Sequence, residues 1–247
     1  MFPVTDSVPR RCPPIVTWTI IISCGIIFLF EASLPQPYLE QLIHLFGIIP
    51  AVYTDPDWAD FIGLVPNNLL PLFTSMFLHG SWIHIIGNMW TLWIFGDNVE
   101  DEMGHLRFFL FYILCGLAAA WLHILTNPLS TVPTIGASGA IAGVMGAYYL
   151  LFPSARIVIM IPLFFIPFFF EVPAFFFLAY WFLTQIFGGA FALATPQQAG
   201  GIAWWAHIGG FVFGMLTYRF FLAPEPCRRR YKDQNISWGL YTPRDRY

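Results

Sequence analysis

Gly136-Ala137-Ser138-Gly139-Ala140-Ile141-Ala142-Gly143-Val144-Met145-Gly146 opens an apolar stretch that runs to Phe152. Gly139, Gly143 and Gly146 fall on one or adjacent faces of a helix, and small-xxx-small faces let membrane helices approach without side chains between them. A serine at the mouth of such a stretch is expensive unless it faces another polar group. The matching group lies near the start of a second apolar stretch. There His207 sits beside Ala206, Gly210 and Gly214, which step by four. If the two stripes pack, Ser138 Oγ and His207 come within hydrogen-bond reach, about 2.6–3.2 Å.

Composition sets the solvent for this pairing. The chain of 247 residues is 57% hydrophobic and 10% charged, against about 25% charged for a soluble domain. It reads as an all-α polytopic membrane protein in contact with the lipid bilayer. A net charge of -3 without a basic stripe in the body of the chain does not imply a nucleic-acid partner, and none is expected. The four cysteines show no metal-ligand spacing and no CxxC. Neither a metal nor a disulfide scaffold is expected.

Six segments are expected to span, since a crossing helix needs roughly 20 apolar residues. They are Ile15–Leu34, Leu78–Phe95, Phe108–Leu125, Ala137–Phe152, Val172–Leu193 and Ile202–Leu222. The stretch Ile157–Phe170 is apolar but short, and contains Pro162 and Pro167. Arg10 and Arg11 precede the first span and Arg228–Arg230 follow the last, so the positive-inside rule puts both termini in the cytoplasm. An even number of crossings follows, and Ile157–Phe170 is read as a re-entrant or interfacial loop. The expected organisation is a cytoplasmic segment 1–14, a membrane domain 15–222 and a cytoplasmic polar tail 223–247. The first loop, Pro35–Phe77, carries acidic residues and no Lys or Arg, so it is expected outside and structured. The loops Asn127–Thr134 and Thr195–Gly201 are expected outside, and the turn Gly96–Arg107 inside. Asn235-Ile236-Ser237 matches a glycosylation sequon but falls in the expected cytoplasmic tail.

With this topology the second, fourth and sixth spans all enter from outside. His84, Ser138 and His207 then lie at one depth, near the outer half of the membrane. His84 and Asn88, spaced i, i+4, share a helix face. Both can donate to a developing oxyanion, as can the backbone N–H of Ser138 at a helix start. No acidic residue lies near His207, so the expected arrangement is a Ser-His dyad. His44, His105 and His123 lack such company and read as structural or surface groups. Trp204 and Trp205 read as an interfacial belt. The fifth span shows no small-residue seam, and Gly188 and Gly189 are expected to loosen its outer end. It is the element expected to move and admit a substrate.

These residues together resemble the rhomboid family of intramembrane serine proteases. The likeness rests on His79-x-x-x-x-His84-x-x-x-Asn88, Gly136-x-Ser138-Gly139, Ala206-His207-x-x-Gly210 and the segment Glu100–Gly104. It covers about Leu70 to Phe221. The resemblance implies a six-helix rhomboid-like bundle around a water-filled cavity. Ser138 would be the nucleophile of a serine endopeptidase and His207 its base. His84, Asn88 and the Ser138 N–H would form the oxyanion hole, with His79 supporting the cavity. Gly136, Gly139, Gly143, Gly210 and Gly214 are the expected close-packing positions. Substrates would be membrane proteins cut in or near their spans, with no cofactor, in a bacterial-type plasma membrane. Two departures stand out. Ala142 occupies a position where many relatives carry an aromatic residue against the catalytic histidine, and the first loop lacks a Trp-Arg pair found in some of them. Two other readings compete: a catalytically inactive relative that binds membrane clients, and a channel or transporter.

Overall fold

The computed structural model of the chain describes residues 2–163, 166–194 and 202–224. The Thr195–Gly201 loop, Arg228–Arg230, the sequon and nearly all of the 223–247 tail lie outside the described residues. Strand β1 (Phe2–Asp6) leads to helix α1 (Ile15–Ser33). Four short helices follow: α2 (Gln36–Phe46), α3 (Pro50–Thr54), α4 (Pro56–Phe61) and α5 (Leu70–Thr74). Each has a proline within its first two positions, where the missing N–H breaks no helical bond. The first loop is thus structured, with its own small core of Ile49, Ala51, Val52 and Ala59.

The long helices are α6 (Trp82–Met103), α7 (His105–Thr126), α8 (Ser138–Leu151), α9 (Ala174–Ala194) and α10 (Trp204–Phe221). Among the described residues, α1, α7 and α9 are long and apolar enough to cross a membrane. Helix α8 has 14 residues, about 21 Å at 1.5 Å each, and is the central element. Every residue from Gly139 to Tyr148 is buried. The outer faces are apolar instead: Ile22, Ile26 and Leu29 of α1 and Phe176, Tyr180 and Phe187 of α9 are exposed. Polar groups collect inside, among them Glu31, His79, Asn88, Glu100 and Gln185. This inverted distribution fits an all-α membrane protein, because lipid solvates apolar side chains and penalises polar ones.

Two expectations change. The second span was expected to end at Phe95, with a turn over Gly96–Arg107, yet α6 continues to Met103 and breaks only at Gly104, where φ is 75°. The reason is tertiary. Glu100 is buried and accepts from the backbone N–H groups of Val16 and Thr17 at 2.9 and 2.8 Å and from Thr17 Oγ1 at 2.7 Å. Asp101 accepts from the N–H groups of Arg11 and Cys12. The acidic end of α6 therefore caps the start of α1, satisfying donors that a helix N-terminus leaves open.

The stretch read as a re-entrant or interfacial loop is a β-hairpin. Strands β2 (Arg156–Leu163) and β3 (Ile166–Pro173) pair antiparallel, and β1 adds to β2 to give the order β1-β2-β3. Arg156 stands opposite Pro173 in the ladder, so the chain leaves and returns at the same end. β-branched and aromatic residues dominate both strands, which suits a pleated surface. The 1–14 segment is built into the molecule through β1. The Asp6 carboxylate accepts from Tyr148 Oη and Asn98 Nδ2, and Trp90 Nε1 donates to Pro3 O at 2.6 Å. Cys24 and Cys115 are free and buried.

Candidate active site

Ser138 is the first residue of α8, and the chain is fastened on its way in. Ile48 and Thr134 form an isolated bridge, and the Gly136 N–H donates to Ser75 O at 2.8 Å. Gly136 has φ of +129°, and a Cβ there would stand 2.7 Å from the His84 ring. Only glycine accommodates both the backbone angle and the imidazole.

His207 lies in the first turn of α10, and its Nε2 stands 2.8 Å from Ser138 Oγ. The approach depends on the glycines. A Cβ on Gly210 would be 1.9 Å from Gly139 O, one on Gly214 2.0 Å from Gly143 O, and one on Gly146 2.2 Å from Phe211 O. The partners are backbone atoms that cannot step aside. The helices touch main chain to main chain, as small-residue stripes permit.

What holds His207 comes from α9. Its Nδ1 is 2.8 Å from Gln185 Oε1. The Trp181 ring lies beside the imidazole, with centroids 5.9 Å apart and planes inclined by 34°. Trp181 thus supplies an aromatic neighbour that Ala142, buried in α8, does not. Both contacts were missed in the sequence. The available signal was a lone amide one turn beyond a tryptophan inside an otherwise apolar helix. Gly188 and Gly189 of α9 face the indoles of Trp204 and Trp205. Both tryptophans are half-buried.

Across the site, His84 and Asn88 occupy one face of α6. The backbone N–H of His84 donates to Ser81 Oγ at 3.2 Å, which caps the helix. His79 precedes α6 rather than lying within it, and its ring meets that of His84 edge-on at 5.2 Å. Its backbone N–H donates to Glu31 Oε2. Glu31 Oε1, both ring nitrogens of His79 and Asn88 Nδ2 are buried without a protein partner. Glu31, an acid inside the first span, went unremarked in the sequence. His123 bonds Thr134, His105 bonds Glu100 and His44 bonds the Glu40 carbonyl, away from the Ser138 pair.

This arrangement of site and helices coincides with a family match. The rhomboid domain model covers residues 66–224, and the chain belongs to the rhomboid family. It is 30% identical over 160 residues to Rhomboid protein 1, mitochondrial, of Saccharomyces cerevisiae, covering 63% of this chain and 42% of that protein. It is also 30% identical over 135 residues to Rhomboid-like protein 11, chloroplastic, of Arabidopsis thaliana, covering 55% and 41%. The human presenilin-associated rhomboid-like protein, mitochondrial, is 29% identical over 159 residues, covering 60% and 37%. The chain thus spans less than half the length of these relatives. Their names place them in mitochondria and chloroplasts, which gives no support to a bacterial-type plasma membrane for this chain.

Proposed function

We propose that this protein is an intramembrane serine endopeptidase that cleaves membrane-protein substrates in or near their transmembrane segments. The observation that carries the reading is the 2.8 Å separation of His207 Nε2 and Ser138 Oγ inside an apolar bundle. In this reading His207 takes the Ser138 proton as Oγ attacks the scissile carbonyl. Negative charge then develops on the carbonyl oxygen, where His84, Asn88 and the Ser138 N–H donate to it. Such donors matter most in a site shielded from water. The tetrahedral intermediate collapses, and His207 returns the proton to the leaving amine. Water, deprotonated by His207, then releases the acyl group from Ser138.

The proposed membrane domain is 15–222, with α1, α6, α7, α8, α9 and α10 as its six spans, the first loop outside and both termini on the cytoplasmic side. The opposition of Arg156 and Pro173 supports an even count. An open sheet edge is not tolerated in lipid, so the hairpin belongs outside the hydrocarbon layer. The glycine seam between α8 and α10 is proposed to maintain the Ser138–His207 distance, with His79 supporting the cavity.

The test is cleavage of a model single-span substrate in detergent, together with labelling by a fluorescent serine-reactive phosphonate. Wild type is expected to cleave and label, and Ser138→Ala to do neither. Equal turnover by the two proteins would reject the reading.

A further inference from the structure

Gln185 is 5% exposed, on a helix whose other inward residues are mainly apolar. Burying an amide costs free energy unless its donors and acceptor are used. Here all are used, in a particular way. Gln185 Nε2 donates to Trp181 O at 3.1 Å and to Thr184 Oγ1 at 3.0 Å, while Thr184 Oγ1 donates to Trp181 O at 2.6 Å. The donors are spent on the residue's own helix. A flipped amide would set its oxygen against the Trp181 carbonyl, acceptor against acceptor. The bonded network therefore leaves Oε1 toward His207 Nδ1.

An amide oxygen can only accept, so Nδ1 carries the hydrogen. In the neutral imidazole Nε2 is then the bare nitrogen, and it is the one facing Ser138 Oγ. The opposite tautomer would put a hydrogen on Nε2 and leave it unable to take the serine proton.

We infer that Gln185 is a positioning residue that selects the Nδ1–H tautomer of His207, and that the site is armed only while α9 is seated on α10. The second half follows from where the residue sits. Trp181 and Gln185 are spaced i, i+4, so both contacts to His207 come from one face of α9. Any displacement of α9 that opened a path from the lipid would remove them together. This inference rests on the protease reading above.

The experiment uses the full chain in detergent with the model single-span substrate, comparing wild type, Ser138→Ala, Gln185→Leu and Gln185→Glu. Gln185→Leu, which keeps bulk but offers no acceptor, is expected to lower kcat on the order of 10²-fold, the scale of general acid–base assistance. KM should be unchanged. Gln185→Glu restores an acceptor and is expected to recover turnover. Its carboxylate favours the imidazolium, so the acid limb of its pH–rate profile should move to higher pH. If Gln185→Leu matches wild type in kcat and pH profile while Ser138→Ala is inactive, Gln185 has no such role and the protease reading stands. Active Ser138→Ala overturns both. If Gln185→Leu does not fold, Gln185→Glu decides alone: a wild-type pH profile from that variant rejects the inference. Loss in Gln185→Leu without a displaced limb in Gln185→Glu reduces the residue to packing and rejects it likewise.

Discussion

Helix α10 meets α8 and α9 in opposite ways. Toward α8 the contact is backbone on backbone, through Gly139, Gly143, Gly210 and Gly214. Toward α9 it is built of rings: Trp181 and Phe182 against Phe211, and Trp204 and Trp205 against Gly188 and Gly189. The first contact holds the distance between Ser138 and His207. The second holds the orientation of His207. A main-chain seam has one seat and no soft degree of freedom, whereas side chains in a ring-packed contact can change rotamer and let a helix leave. Distance is thus assigned to the rigid contact and orientation to the deformable one.

The largest expected effect lies at the pair that the rigid seam brings together. Ser138→Ala and His207→Ala should each remove turnover, on the order of 10⁶-fold by analogy with soluble serine proteases, with thermal unfolding unchanged. Retained cleavage in either would empty the comparison of meaning. Next comes Asn88→Ala, expected to lower kcat by about 10²-fold or more, the cost of one oxyanion donor. A rise in KM alone, measured with the same substrate, would remove Asn88 from that role.

The seam itself is probed by Gly210→Ala. Its Cβ meets the Gly139 carbonyl, which cannot yield, so overpacking should cost about 1–3 kcal/mol, read as a lower unfolding midpoint, and turnover should fall with it. Gly188→Ala is the matched change on the other face. Its Cβ would stand 2.6 Å from the Trp204 indole, a side chain that can shift. A loss near the low end of the same range, about 1 kcal/mol, is expected. Equal losses from the two variants would erase the distinction between rigid and deformable contacts.

The last test is a pH dependence at the sheet. Burial raises the Asp6 carboxyl to about 6, partly offset by its bond to Tyr148. Between about pH 4 and 6 the folded state therefore holds a proton that the unfolded chain gives up. Stability should fall as pH rises through that window, and Asp97 and Asp101, raised by burial to about 7 and about 6, add to the same trend and extend it toward pH 7. Asp6→Asn should make this slope shallower in thermal melts taken across the window. An unchanged slope would take Asp6 out of the account.

Much of the bundle was legible because lipid makes the pattern local. The helices begin and end within a few residues of the apolar segments, apart from α6, whose extra turns depend on Glu100 and Asp101 meeting the start of α1. Acidic residues after an apolar run read as a turn when their partners, some 85 residues away, are out of view. Ile157–Phe170 was ambiguous for a related reason. Short apolar runs have no period that separates strand from loop, and the strand β1 that stabilises this hairpin comes from the other end of the chain.

By itself, then, the sequence determined the membrane character, the small-residue faces of α8 and α10, and the serine and histidine beside them. Each is set by residue type and spacing within one helix. Only the tertiary structure decided which groups complete the site: Gln185 and Trp181 against His207, Gly136 beneath His84, and Glu31 beside His79. Those choices depend on how helices rotate and dock. A buried polar group takes whichever partner the packed neighbour offers, and that partner's distance along the chain carries no record of it.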